Sequence, residues 1–185
     1  MHKFIFVRHG ESEGNAAGYI ATPETKLTAT GIEEARKTAA EVKDLNITKI
    51  ICSPMIRAQQ TAETIAAELG IDIAHIEILP ELEERRFGKK EGMPKAHPSE
   101  WYYLSEQEPT SETPQAVLDR MRQCLKKLTK LADHETLLVV GHACSGFYLL
   151  QVVQGKTKIS QFDSPKQMAN ADFIVVKYED RLEAV

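Results

Sequence analysis

Short apolar runs alternate along this chain with longer stretches in which apolar residues recur every third or fourth position. The runs at 4–7, 49–52, 73–79, 136–140 and 173–178 predict five strands. Ile32, Ala35, Ala39 and Val42 keep helical spacing and predict a helix over about 29–44. Ala58, Ala62, Ile65, Ala66 and Leu69 predict a second, with Ser53 as its N-cap, Pro54 at its first position and Gly70 at its end. Val117, Met121, Cys124, Leu125, Leu128 and Leu131 predict a third, opened by Thr113-Pro114, and an apolar helix runs from Gly141-His142 to about Val153. The first helix has two candidate caps, Thr28 and a capping box of Thr30 with Glu33. Strands alternating with amphipathic helices read as one α/β domain, residues 1–185, around a largely parallel sheet. Residues 182–185 are expected to pair beside the last strand.

Two segments break the alternation. Residues 10–27 form a polar loop with Gly10, Gly14, Gly18 and Pro23. Residues 80–113 are irregular and charged, with Pro80, Pro94, Pro98 and Pro109 and a cluster at Trp101, Tyr102 and Tyr103. So long a structureless stretch in a compact domain reads as a lid-like functional segment.

Composition narrows the class. The 185 residues suffice to bury a sizeable core, and 42% hydrophobic with 27% charged residues is ordinary for a soluble globular chain. A formal net charge of −4 argues against a nucleic-acid or membrane-surface partner, so any cationic site must be local. No stretch reaches transmembrane length, and the opening apolar run is too short for a secretory signal. Cys52, Cys124 and Cys144 are odd in number and lack Cys-x-x-Cys spacing, which fits a reducing cytoplasm rather than a disulfide framework or a zinc site. The oligomeric state is not legible in the sequence.

Chemistry gathers where strands end. Arg8 and His9 follow the first strand directly, Arg57 follows the second and His142 the fourth. Ligands of open α/β sheets bind beyond the carboxyl ends of the strands, so parallel strands bring these side chains to one rim. Two guanidiniums and two imidazoles there suit a phosphate, which carries about −1.5 to −2 at pH 7 and accepts bidentate bonds from arginine. Helix N-termini after Ser53 and Gly141 add N–H donors. An imidazole of pKa ~6.5 pushed lower by neighbouring cations is neutral near pH 7 and can attack phosphorus. The leaving alkoxide then needs a proton from an acid. Glu81, Glu83, Glu84 and Glu91 are the candidates, and spacing leaves the choice among them open. His142 is expected to steady the phosphoryl oxygens as a charged donor.

At these residues the chain resembles the histidine phosphatase superfamily, the phosphoglycerate mutase-like proteins. The matching blocks are Arg8-His9-Gly10-Glu11, Leu27-Thr28-x-x-Gly31, Ser53-Pro54-x-x-Arg57-Ala58-x-Gln60-Thr61-Ala62, Leu82-x-Glu84 with Phe87-Gly88 and Glu91-Gly92, and Gly141-His142. The resemblance implies a three-layer α/β/α sandwich, a covalent phosphohistidine on His9 and Glu84 as the acid. It also implies phosphate contacts from Arg8, Arg57, Asn15 and the backbone of Ala143, with no metal and no cofactor. Departures are Ala143-Cys144 where two glycines are common, Glu24-Thr25-Lys26 before Leu27, and Gly14 where the glycolytic mutases carry tryptophan. Gly14 and the shorter chain favour a phosphatase of a small phosphorylated metabolite over a mutase.

Taken singly, each residue has a plainer reading. Arg8-His9 could be a salt-bridged strand end, Arg57 a solvated first-turn residue, His142 a helix cap, and Lys89, Lys90 and Lys95 solvated lysines. Five blocks in order outweigh those readings for Arg8, His9, Arg57 and His142, while the three lysines stay with the solvated reading. Cys52 to Arg57 is Cys-x4-Arg, one residue short of a cysteine-phosphatase loop, and no Gly-x4-Gly-Lys-Ser/Thr stretch is present. The alternatives are a phosphoglycerate mutase and, outside catalysis, a phospho-ligand-binding regulator.

Overall fold

The computed structural model describes residues 1–95, 108–159 and 168–179. The aromatic cluster at 101–103, part of the irregular segment and the expected pairing of 182–185 lie outside the described residues.

Five strands form one sheet in the order β3-β2-β4-β1-β5. They are β1 (His2–Arg8), β2 (Lys49–Cys52), β3 (Ile76–Ile78), β4 (Leu137–Gly141) and β5 (Phe173–Tyr178). β1–β4, β4–β2 and β2–β3 pair in parallel, and β5 runs antiparallel to β1. Among the described residues the helices are α1 (Glu13–Ala17), α2 (Ala29–Val42), α3 (Ile56–Leu69), α4 (Pro114–Ala132) and α5 (Ala143–Val153).

Alternation along the central strands builds three layers. Phe4, Phe6, Ile51, Leu137 and Val139 face one side, against Val117, Met121, Leu125 and Leu128 of α4 and Tyr148 and Leu149 of α5. Ile5, Val7, Ile50, Cys52, Leu138 and Val140 face the other, against Ala35 and Ala39 of α2 and Ala58, Ala62 and Ile65 of α3. Both faces of β1 and β4 are covered, which is why these strands read as continuous apolar runs.

Local chemistry moved several boundaries. The Thr28 side chain caps α2, accepting from the Gly31 N–H at 3.1 Å, so the Thr30 box is not used. Thr113 caps α4 as expected. α3 begins two residues later than Ser53-Pro54 suggested: Met55 is its N-cap, without a side-chain bond, and the Ile56 N–H donates to the Pro23 carbonyl at 3.1 Å. The third strand is shorter than 73–79 because Asp72 accepts from the Ala74 N–H at 2.9 Å, winding Ile73–His75 into a 3-10 turn. The described part of 80–113 holds two more such turns, Pro80–Leu82 and Gly88–Lys90.

Register fixes what stands at the rim. Arg8 pairs with Gly141 and Cys52 with Val140. The next residues are therefore neighbours: the His9 N–H donates to the Gly141 carbonyl and the Ser53 N–H to that of Val140, each at 3.0 Å.

Candidate active site

His9 leaves β1 into a loop that fixes its ring. Nδ1 lies 2.7 Å from the Gly10 carbonyl oxygen, which can only accept, so Nδ1 carries the proton. Nε2 then holds a lone pair, and Arg57 Nε donates to it at 3.3 Å. Arg57 is 2% exposed. Its Nη1 donates to the Thr22 carbonyl at 2.8 Å and its Nη2 to Met55 Sδ at 3.2 Å. Thr61 joins loop to helix, since its Oγ1 accepts from the Gly10 N–H at 3.1 Å and donates to the Arg57 carbonyl at 2.7 Å.

His142 is the N-cap of α5, and its ring centroid lies 5.0 Å from that of His9. Its Nε2 meets Ser53 Oγ at 2.8 Å, while that hydroxyl accepts from the Met55 N–H at 3.3 Å. Nδ1 is buried and has no hydrogen-bond partner among the described residues. Arg8 is buried beside them, donating through Nη1 to the Met168 carbonyl and through its backbone N–H to Asp172 at 3.1 Å. The Ala171 N–H donates to the His9 carbonyl at 3.1 Å, so residues 168–172 clasp the loop from the far side.

Electrostatics follow from this crowding. Burial holds His9 well below the usual histidine range, with Arg57 and Arg8 adding to it. Burial, then Arg57, His9 and Arg8, does the same to His142. These shifts favour the neutral form of both rings near pH 7, in which His142 can still donate through one N–H. Burial brings Arg57 down to about 10, still charged. Lys95 belongs to the same field. It is half-buried, lowered by burial and then by Arg8 and Arg57, and its N–H donates to the Gly18 carbonyl at 2.9 Å.

Among the four candidate acids the geometry separates one. Glu81 pairs with Lys127 at 2.6 Å, Glu83 with Arg86 at 3.0 Å, and Glu91 accepts from the Phe87 N–H. Glu84 reaches the start of α5, accepting from the N–H groups of Cys144 at 3.1 Å and Ser145 at 2.9 Å. The Ala143 N–H, one residue earlier, has no acceptor among the described residues. Asn15 is less free than expected. Its side-chain oxygen accepts from the Ser12 N–H and hydroxyl in a capping box on α1, which leaves only its amide hydrogens to face a ligand.

The structure thus gathers Arg8, His9, Arg57 and His142, with Glu84 and Ala143 at the adjoining helix start. Ser53, Thr61, Lys95 and the 168–172 clasp were not read from the sequence as parts of the site. Ser-Pro before a helix reads equally as a cap, and nothing near 168–172 signals a role. Among the described residues no group of three or more His, Cys, Asp or Glu could hold a metal ion, and no helix is long and apolar enough to cross a membrane.

The family model described as the histidine phosphatase superfamily (branch 1) matches residues 4–185. The chain belongs to that superfamily. A relative in Bacillus subtilis, the uncharacterized phosphatase PhoE, is 32% identical over 161 residues, spanning 84% of this chain and 79% of its own. The probable phosphoglycerate mutase GpmB of Proteus mirabilis is 32% identical over 163 residues, 84% of this chain and 76% of its own. A mutant phosphoserine phosphatase from Entamoeba histolytica, solved with phosphoserine, superposes with a TM-score of 0.78 at 23% identity, covering 97% and 92% of the two chains. The three-layer fold is that of these histidine phosphatases, and the chain is a phosphatase-like enzyme of the superfamily.

Proposed function

We propose that the protein is a cytoplasmic, metal-independent phosphomonoesterase that works through a phosphohistidine on His9. The observation carrying this is the unprotonated Nε2 of His9, fixed by the Nδ1 hydrogen bond to Gly10 and accepting from Arg57 Nε. Arg8 and Arg57 bind the phosphate, with the Ala143 N–H, the Asn15 amide and the Nδ1–H of His142 as further donors. Nε2 attacks phosphorus and the bond to the ester oxygen breaks. Glu84 gives its proton to the departing alkoxide. The resulting carboxylate takes a proton from water, whose oxygen displaces the imidazole and releases inorganic phosphate.

The whole chain acts as one domain on a small phosphorylated molecule. Likeness to a probable phosphoglycerate mutase keeps a second reading, in which the phosphohistidine returns its phosphoryl group to a sugar acid instead of water. Release of phosphate from 3-phosphoglycerate, without isomerisation, is the outcome expected here.

Rapid mixing with a 32P-labelled phosphomonoester, followed by quenching, tests the intermediate. Wild-type protein is expected to carry acid-labile, base-stable label, and His9→Ala neither label nor turnover. Turnover without any acid-labile label would overturn the phosphohistidine, and phosphate binding without turnover would make the protein a regulator.

A further inference from the structure

Glu84 sits in irregular backbone, yet the residues on both sides of it are tied to Arg120 of α4 and to Glu112, two residues ahead of that helix. Arg120 donates through Nη1 to the carbonyls of Glu81 at 2.6 Å and Glu83 at 2.8 Å. Its other two donors form a fork on the Glu112 carboxylate, Nε to Oε1 at 2.9 Å and Nη2 to Oε2 at 2.7 Å. Glu112 holds the downstream side. Its N–H donates to the Arg86 carbonyl at 2.8 Å, its Oε2 accepts from the Arg86 N–H at 3.3 Å, and its carbonyl accepts from Arg85 Nε at 2.9 Å. Residues 81, 83, 85 and 86 are all held, and between them the Glu84 carboxylate, which also accepts from the Arg85 N–H at 2.9 Å, reaches α5.

We propose that the Arg120–Glu112 pair is a positioning device that sets the reach of Glu84 into the active site. This rests on the reading of Glu84 as the proton donor. Buried loop carbonyls must find donors, and one planar guanidinium serves two of them while its remaining edge is locked by a carboxylate. A lysine, with a compact head and no fork, cannot hold both carbonyls and the carboxylate in one plane. A misplacement of about 1 Å at a catalytic group can cost on the order of 100-fold in rate. Neither Arg120 nor Glu112 needs to touch substrate for this.

The test compares leaving groups. Wild type, Glu84→Gln, Arg120→Met, Glu112→Gln and the double variant Arg120→Met/Glu84→Gln are assayed on phosphate esters ranging from p-nitrophenyl phosphate to glycerol 2-phosphate. A nitrophenolate leaves without a proton, whereas an alkoxide needs one. Arg120→Met is expected to lose roughly 10- to 100-fold on alkyl esters and less than about threefold on p-nitrophenyl phosphate, within the range of general acid catalysis. Glu112→Gln loses less, in the same pattern. The double variant is expected to be no slower on alkyl esters than Glu84→Gln alone, because the pair acts through Glu84. Equal losses on both ester types in Arg120→Met, or in Glu112→Gln should the first fail to fold, would overturn the proposal. So would additive losses in the double variant. If Glu84→Gln itself slows both ester types equally, it is the acid assignment that fails, and the proposal falls with it.

Discussion

Because a carbonyl oxygen only accepts, Gly10 dictates the tautomer of His9, whereas the Ser53 hydroxyl beside His142 can either give or take a hydrogen. The Ser53 hydroxyl oxygen already accepts from the Met55 N–H, so its own hydrogen is available to His142 Nε2. When Ser53 gives that hydrogen to Nε2, the His142 proton sits on Nδ1, the buried nitrogen that lacks a partner among the described residues. Ser53→Ala is expected to release this control. The ring then populates both tautomers, and affinity for inorganic phosphate falls about tenfold, one charge-assisted hydrogen bond's worth. Nitrogen-15 imidazole shifts and phosphate titration check it; an unchanged His142 tautomer in Ser53→Ala would refute it. The histidines and arginines were legible in the sequence because each follows a strand or opens the helix after it. Ser53 was not, since its partner lies 89 residues away and arrives only through the β2–β4 register.

At the scale of elements, the loop after β1 and the first turn of α2 fit only because both carry glycine. A Cβ on Gly31 would lie 2.1 Å from the Glu11 carbonyl oxygen, and one on Gly10 would lie 2.3 Å from that of Gly31. Both obstacles are backbone, so something must shift. Polar bonds tighten the contact: the Thr28 N–H donates to the Glu11 carbonyl at 2.9 Å, and the Glu11 N–H to Glu34 Oε2 at 2.7 Å. Gly31→Ala is expected to cost about 1–3 kcal/mol of stability, as overpacking does, and to lower kcat by moving the His9 loop. Thermal unfolding and steady-state kinetics on one preparation measure both; full activity in a destabilised variant would uncouple the contact from the site. The sequence marked Gly10 and Gly31 within motifs, but their contact depends on how α2 lies on the sheet. Periodicity likewise marked α2 to α5 and the central strands, whereas α1 lies inside the stretch 10–27 read as a polar loop, and Asp72 and Ser53, each competing for backbone N–H groups, shifted β3 and α3.

Over the whole molecule, the fold holds two buried imidazoles neutral at the rim of the sheet, and this sets how stability responds to acid. In the unfolded chain both histidines take up a proton near pH ~6.5. In the folded protein burial and the neighbouring arginines push both well below that value. Above about pH 6.5 neither state binds these protons, and the two rings contribute no pH dependence. As the pH falls through 6.5 the unfolded chain binds protons that the folded one does not, so stability declines until the folded values are reached. The slope is at most about 1.4 kcal/mol per pH unit for each histidine. Denaturant titrations between pH 7.5 and 5 are expected to show this decline, and His9→Gln and His142→Gln each to remove part of it. A bound phosphate dianion opposes the positive field of Arg8 and Arg57 and favours protonated rings, so saturating phosphate should flatten the same curve. An acid limb of equal slope in wild type and both glutamine variants would mean that other groups carry it, and that the rings are not held neutral by the fold.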